Sequence, residues 1–321
     1  MRSFWLIGLL ALISLISLSV APAAEAEPVT LSHAYGTITL EAPPERVVSV
    51  GYHEQDFLYA LGIAPVGVHE WFGGRPYATW SWAEPARAAL GAEPEVQRGF
   101  EIDFEWVWQQ KPDLIVATFA PLDAESYATL SKIAPVLGPP EGYANWTAPW
   151  QEEMRLIAAA TGRVARGEEV IAHVEGVLND LATTYSRLAG REATVAYVSG
   201  TELVGYGAGD GANRMLADLG LTIPPEFDNM VTEAGSFSVS LERLDIFDRD
   251  VTVWLTEDDG RQMIEALPLY QKSRLRQEKR SVWADEEEMG ALSFQSPLSI
   301  PWVAARIAPR LSRAVTGSSQ D

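Results

Sequence analysis

Two segments of the chain, 137 positions apart (242 − 105), carry the same order of features. They are EIDFEWVWQQKPDLIVATF at 101–119 and FSVSLERLDIFDRDVTVWLT at 237–256. In each, a residue able to cap a helix stands two positions before an acid, which is Glu105 or Glu242. An amphipathic run, a turn ending in Asp and a β-branched strand follow. The spacing from Glu to that Asp is identical (113 − 105 and 250 − 242), so the two segments are predicted to form equivalent units.

A second pair of segments extends the repeat. RVVSVGYHEQDFLYALGI at 46–63 and ATVAYVSGTELVGYGAGDGANRMLADLGL at 193–221 both read as strand, loop, helix and Leu-Gly. Strands that alternate with helices favour parallel sheets. A chain made of two such halves is predicted to fold into two similar α/β lobes with mainly parallel sheets and a ligand cleft between them.

A long helix is predicted where one half passes to the other. Apolar residues follow helical spacing, with Val170, Ile171, Val174 and Leu178 on one face. We assign 27–164 to an N-terminal lobe, 165–189 to an interlobe helix and 190–321 to a C-terminal lobe. Because a helical tether restricts lobe movement, the conformational change on binding is expected to be small.

The first 26 residues have the features of a secretory signal peptide. Arg2 precedes an apolar stretch, Phe4 to Val20, and small-x-small cleavage sites follow at Ala21-Pro22-Ala23 and Ala24-Glu25-Ala26. The alternative is an uncleaved membrane anchor, but the stretch is short and interrupted by serines. We therefore predict cleavage and export.

Composition narrows the classes of partner. The chain has no cysteine, which excludes disulfides, thiolate metal sites and a lipid-modified cysteine. We therefore expect a freely soluble, monomeric protein of the periplasm. Its formal net charge is −20, from 44 acids and 24 bases, which argues against nucleic acid as a partner. An acidic surface instead suits docking to a basic partner.

Candidate ligand-binding residues come from loops that follow the carboxyl ends of strands, where such sheets bind ligands. Many are aromatic and are interleaved with Gly and Pro, so they cannot form a helical core stripe; packing over the lobe edge is the alternative role. By contrast, Trp106, Trp108 and Trp254 lie on a predicted helix or strand, and we place them in the core. The candidates are Tyr52, His53, Trp71, Phe72, Arg75, Tyr77, Trp80, Trp82, Trp146, Tyr206, Arg214 and Phe294.

The order and spacing of several segments resemble the substrate-binding proteins of iron-siderophore ABC importers. The segments are PPERVVSV, ALGIAPVGV, KPDLIVAT, YATLSKIAPV, PWQEEMRLIAAATGR, RMLADLGL and ALSFQSPLSIPW, spread over the mature chain. The resemblance implies two α/β lobes joined by one long helix, which capture a ferric siderophore in the periplasm and deliver it to an inner-membrane permease.

The resemblance also implies a docking role for one acid on each lobe, which pairs with arginines of the permease. Those positions are Glu105 and Glu242, the acids that the internal repeat places in equivalent positions. The alternative for each acid alone is that it only complements a helix N-terminus. Two matched acids on separate lobes favour docking to a two-fold permease, where charge gives steering and register.

The class of ligand is predicted from the few metal-ligating and cationic side chains that the chain offers. A ferric siderophore surrounds its iron with six oxygens, so the protein need supply neither a metal ligand nor a cofactor. The chain has only four histidines, which disfavours direct zinc or manganese binding. Arg75 and Arg214 are the only clear cationic candidates in the cleft. This sparse positive charge favours a neutral or cationic hydroxamate complex over an anionic catecholate.

Other functions remain open at this point. Haem would need an axial Tyr or His, for which Tyr52, His53, Tyr77 and Tyr206 are candidates. Cobalamin is a further alternative. The sequence contains no G-x-S-x-G, H-E-x-x-H or P-loop motif, and no G-x-G-x-x-G follows a strand, so an enzyme is disfavoured.

Overall fold

The structure is a computed structural model that describes residues 28–143, 146–232 and 235–317. The predicted signal peptide at 1–26 lies outside these residues. Within them, no helix combines the length and apolar composition needed to cross a membrane. The chain folds into two α/β lobes, each built on a five-stranded sheet, as the repeat predicts.

The first lobe begins with an antiparallel hairpin, β1 (Val29–His33) and β2 (Gly36–Leu40). The strands of its sheet are β3 (Val47–Ser49), β4 (Gly67–His69), β5 (Glu95–Gln97), β6 (Leu114–Val116) and β7 (Val136–Leu137). The sheet has the order β5-β4-β3-β6-β7, and every pairing in it is parallel. All of these strands except β5 are buried along their whole length, and short helices alternate with them along the chain. The helices are α1 (Glu54–Ala60), α2 (Glu84–Ala89), α3 (Phe104–Gln109) and α4 (Ala124–Leu130), with a 3-10 turn at Pro76–Ala78.

Helix α5 (Trp150–Ala160) leads into α6 (Val164–Thr184), the 21-residue helix that joins the lobes. The predicted apolar face is buried at Val170, Ile171, Val174 and Leu178. The helix ends earlier than predicted because Tyr185 leaves helical geometry (φ −105, ψ 42) and a 3-10 turn follows at Ser186–Leu188. The long interlobe helix is therefore confirmed, with a shorter C-terminal end.

The strands of the second lobe are β8 (Ala193–Ser199), β9 (Glu202–Tyr206), β10 (Ser236–Ser240), β11 (Val251–Trp254) and β12 (Ser281–Trp283). They form a sheet with the order β10-β9-β8-β11-β12. Strands β8, β11 and β12 are parallel, whereas β8, β9 and β10 pair antiparallel. The helices of this lobe are α7 (Gly211–Asp218), α8 (Asp258–Ala266), α9 (Pro268–Lys272), α10 (Arg274–Gln277), α11 (Glu286–Phe294) and α12 (Ser299–Thr316), with 3-10 turns at Pro225–Asn229 and Leu241–Phe247.

The internal repeat corresponds to equivalent strand pairs. Strand β3 pairs in parallel with β6, and β8 pairs in the same way with β11. The Asp of each repeat anchors the chain ahead of the first strand. Asp113 accepts the Arg46 N–H at 2.8 Å, and Asp250 accepts the Glu192 N–H at 3.2 Å. The segments thus perform the same local task in both lobes.

Three sequence expectations need correction. The segment 193–221 contains a β-hairpin, β8 and β9, before its helix, where we expected a strand and a loop. The run after Ser240 is a 3-10 helix broken at Arg243, not an α-helix. Trp254 is fully buried and Trp106 packs against the core, but Trp108 is 65% exposed, so its core assignment is wrong.

Candidate functional site

A cleft between the lobes contains two adjoining cavities that share Tyr206, Leu255 and Ser293. The larger has a volume of about 540 Å³, within the range of small-molecule sites, and the smaller about 200 Å³. The larger is lined by Phe72 of the first lobe and by Tyr197, Tyr206, Leu255, Glu257, Asp259, Met263, Met289 and Ser293 of the second. The smaller is lined by Trp71, Phe119 and Trp146 on one side and by Tyr206, Asp210, Leu255, Leu292 and Gln295 on the other.

An aromatic cluster forms the first-lobe wall. Tyr52 stacks on Trp71, with ring centroids 5.4 Å apart, and on Trp146, 5.5 Å apart. Phe119 meets Trp146 edge-on at 4.7 Å. The phenol of Tyr52 donates to the Phe100 carbonyl at 2.8 Å, which fixes the ring in place. This wall is therefore rigid and apolar, with flat faces that suit a bulky organic ligand.

Behind the cleft, a second set of predicted residues joins the lobes. Phe294, at the end of α11, is 1% exposed and packs against Trp71, Phe72, Trp80 and Trp82 of the first lobe. Gly290 permits the approach, because a Cβ there would lie 2.9 Å from the Trp80 ring. Trp80 and Trp82 are thus buried interlobe packing residues that do not line either cavity.

His53 makes a polar connection within this packing. Its Nδ1–H donates to the Phe294 carbonyl at 2.5 Å, and its Nε2 lies 3.0 Å from the Glu153 carboxylate. Burial alone would lower the pKa of His53, but the charge and hydrogen bond of Glu153 outweigh it and raise that pKa. The imidazolium form is therefore favoured, and it donates to both lobes. His53 lies behind the cleft, with both ring nitrogens occupied.

Two carboxylates on α1 are also buried here. Glu54 accepts the Phe119 N–H at 2.8 Å, and burial raises its pKa despite the opposing charge of His53. Asp56 accepts from the Trp82 indole at 2.8 Å and from the Ser296 hydroxyl at 2.5 Å. Burial raises the pKa of Asp56 to about 6. The bond to Ser296 is a second polar link across the lobes.

The predicted cationic residues lie outside both cavities. Arg75 forms ion pairs with Glu286 at 2.9 Å and Glu287 at 2.8 Å, across the lobes, and stacks on Trp80. Arg214 donates to the Thr147 carbonyl at 2.7 Å and lines a separate cavity of about 290 Å³ beside α5 and α7. Tyr77 packs under the Arg87 guanidinium. Among the described residues, no Lys, Arg or His lines either cleft cavity.

The ionisable groups that do line the cleft are acids and phenols. Glu257 and Asp259 border the larger cavity, and Asp210 borders the smaller. Burial raises the pKa of Asp210, and burial also raises the pKa of Tyr206, which keeps its phenol protonated. Within 28–143, 146–232 and 235–317, no three His, Asp or Glu side chains come together as a metal site.

The structure brings four predicted residues, Trp71, Phe72, Trp146 and Tyr206, to the cavity surfaces. Sequence reasoning missed Phe119 and Leu255, although they follow β6 and β11 and the same strand-end rule would have found them. It also missed residues of α11. Met289 and Ser293 face the cleft one turn apart, and no sequence signal separates them from core positions on that helix.

The two acids of the internal repeat occupy equivalent exposed positions. The Asp103 side chain caps α3 by accepting the Glu105 N–H at 3.0 Å, and Ser240 accepts the Glu242 N–H at 3.3 Å. Helix α3 follows the carboxyl end of β5. The 3-10 helix of Glu242 follows β10, which runs in the same direction as β8 because two antiparallel pairings separate them. Both acids therefore follow the carboxyl ends of strands, which is the side of each sheet that faces the cleft.

These features define a two-lobed α/β binding protein whose lobes are joined by one long helix and enclose a ligand cleft. The chain belongs to the periplasmic binding protein family, whose sequence profile matches residues 47–285.

Two solved structures share this fold, and one curated relative is similar in sequence. A periplasmic solute binding protein from Mycobacterium smegmatis is 33% identical, with a TM-score of 0.80 over 90% of this chain and 99% of that one. PiaA of Streptococcus pneumoniae, in complex with ferrichrome, is 24% identical with a TM-score of 0.79 over 90% of this chain and 99% of PiaA. The probable siderophore-binding lipoprotein YfiY of Bacillus subtilis is 27% identical over 179 residues, 55% of this chain. The match spans about half the length of this curated relative, 52%.

Proposed function

We propose that the protein binds a ferric siderophore in the interlobe cleft and that the favoured class is a neutral or cationic hydroxamate complex. The observation that carries this proposal is an aromatic cleft whose larger cavity is lined by Glu257 and Asp259, while no cationic side chain of the described residues lines either cavity. Such a wall repels an anionic ferric catecholate. The ferrichrome complex of PiaA and the name of YfiY support the siderophore class.

The test is a tryptophan-fluorescence titration of residues 27–321 with ferrioxamine B, ferrichrome, a ferric catecholate, haem and cobalamin. We expect saturable quenching by a hydroxamate complex and none by the catecholate.

Trp146→Ala should weaken binding about tenfold, because it removes one face of the aromatic wall. Trp108→Ala, outside the cleft, is the matched control and should bind as the wild type does. Saturation by haem or cobalamin alone would reject the siderophore proposal.

The proposal includes export to the periplasm and delivery to an ABC permease through Glu105 and Glu242. Supporting it, the two acids are exposed, lie on different lobes and begin at the cleft-facing sheet edges. A partner with two symmetric basic positions would read both lobes of a loaded protein at once.

The docking test is the double variant Glu105→Ala/Glu242→Ala. It should bind the ferric complex with unchanged affinity and lose uptake of that complex by cells. Arg166→Ala/Glu169→Ala, which removes an exposed ion pair on the interlobe helix α6, is the control. Normal uptake by the double acid variant would show that these acids do not dock the permease.

A further inference from the structure

The first lobe presents large apolar side chains beside its docking acid. Phe100 is 71% exposed and Trp108 is 65% exposed, the highest values for large hydrophobic residues in the described part of the chain. They precede and follow Glu105 on one continuous segment. Glu105 and Trp108 are three residues apart on α3, so they share its solvent face. We call Phe100 and Trp108 the apolar patch.

The fold gives these side chains no internal task. On α3, Val107 is fully buried and Trp106 packs inward against Gly67, so the helix is anchored without Trp108. Within the described ranges, the Trp108 ring has no aromatic, cationic or hydrogen-bonding partner. Trp is enriched among the residues that contribute most to binding near the centres of protein interfaces. Its exposure beside an acid therefore points to a partner surface.

The loop that carries Phe100 is fixed from inside the protein. The Gly99 carbonyl accepts from His69 at 2.5 Å, and the Phe100 carbonyl accepts from Tyr52 at 2.8 Å. The Gln97 side chain donates to the Glu101 carbonyl at 2.7 Å. Phe100 is thus held out on a rigid loop, which lowers the entropy cost of binding. The loop is also bonded directly to a ring of the cleft wall.

The equivalent surface of the second lobe is different. The counterpart of Trp108 by the repeat is Asp245 (242 + 3), and it is ion-paired with Arg243 at 3.0 Å. The counterpart segment before Glu242 buries its aromatic residue, Phe237, which is 4% exposed. One docking acid is therefore flanked by apolar side chains and the other by charges.

We propose that the apolar patch is a hydrophobic anchor for the permease, adjacent to the charge contact of Glu105. The inference rests on the proposed docking function. Charge selects this occupant: the patch lies beside an acid on a chain of net charge −20, so a second copy of the chain or an anionic lipid surface would be repelled. A basic protein surface with an apolar pocket is complementary. Docking is then anchored at the first lobe and steered by charge at the second.

The test measures binding of the mature chain to the permease of its importer in lipid nanodiscs by biolayer interferometry, with and without ferrioxamine B. Phe100→Ala and Trp108→Ala should each weaken docking about tenfold, and these losses should persist at high salt. The loss caused by Glu105→Ala should shrink at high salt, because screening already weakens that contact. Leu269→Ala, which truncates an exposed side chain on α9, is the matched control and should have no effect.

The outcomes separate the two proposals. If the patch variants dock normally while Glu105→Ala/Glu242→Ala does not, the anchor is rejected and charge docking stands. If all of them dock normally, the docking proposal fails and the anchor fails with it. If sedimentation shows a wild-type dimer that Trp108→Ala converts to monomers, the patch is a self-association surface and the inference is overturned.

Discussion

At the interface of the lobes, a few buried polar residues occupy positions where apolar ones would be simpler to pack. His53 bonds to both Glu153 and the Phe294 carbonyl, and Asp56 bonds to both Trp82 and Ser296. Aromatic packing holds the two lobes together there but does little to fix the angle between them. The hydrogen bonds fix one angle between the lobes, because a rotation would leave buried charges without partners.

The raised pKa of Asp56 makes stability depend on pH. The folded protein holds this proton up to about pH 6, whereas the unfolded chain releases it near 3.8. The stabilising contribution is therefore complete below pH 3.8 and is lost as pH rises through 6. Asp56→Asn stays neutral and keeps an oxygen to accept from Trp82 and Ser296. We expect it to be more stable than the wild type at pH 7 by about 3 kcal/mol and nearly equal at pH 4.

Urea unfolding of both proteins from pH 4 to 8 checks this expectation. The difference between the two proteins isolates Asp56 from the other acids of the chain. A constant difference across the pH range, or a loss of stability at pH 7 in the variant, would contradict the burial argument.

Among the elements, helix α6 allows a paired test on two of its own glycines. A Cβ at Gly176 would meet nothing within 4 Å, whereas a Cβ at Gly167 would lie 2.7 Å from the Ala158 Cβ of α5. Gly176→Ala should raise the free energy of unfolding by about 0.5–1 kcal/mol through helix propensity. Gly167→Ala should lower it, because the close contact pushes α6 away from α5. Denaturant unfolding of the two variants side by side measures both, and equal effects would show that the packing is looser than the structure indicates.

Some helices and strands of this fold could be predicted from the sequence and others could not. The interlobe helix and the two repeated strand pairs follow from periodicity and spacing, since local propensity and burial agree there. The hairpin of β8 and β9 could not be predicted, because Gly200-Thr201 is as compatible with a longer loop as with the tight turn between two strands. Trp108 was misplaced because helical spacing gives a face but not which face meets solvent.

Only some of the aromatic residues that line the cleft could be predicted from the sequence. Trp71, Phe72, Trp146 and Tyr206 line the cleft, because loops at strand ends face it in this architecture. Trp80 and Trp82 come from the same Gly-rich loop but pack against Gly290 of the other lobe. The relative placement of the two lobes decides which aromatic rings face the cleft and which pack in the interface between the lobes. That placement cannot be derived from the sequence pattern alone.

For the whole molecule, the connections between lobes predict a small response to ligand. Helix α6, the Phe294 packing and the ion pairs of Arg75 all cross between the lobes. We expect the radius of gyration to change by less than about 1 Å when a saturating ferric complex binds, as in other preorganised sites. Small-angle scattering of the empty and loaded protein measures this change, and a contraction of several ångströms would contradict a stiff connection.

Under the proposed delivery to a permease, a stiff connection between the lobes also has a consequence for docking. A partner can favour the loaded over the empty protein only through a surface that differs between them, and here the surfaces differ little. The ligand-free protein should therefore compete with the ligand-bound protein for the same docking site on its partner. If the protein delivers its ligand to a permease as proposed, cells that make far more of it than they have ligand for would slow their own import, and selection would limit the number of copies per permease.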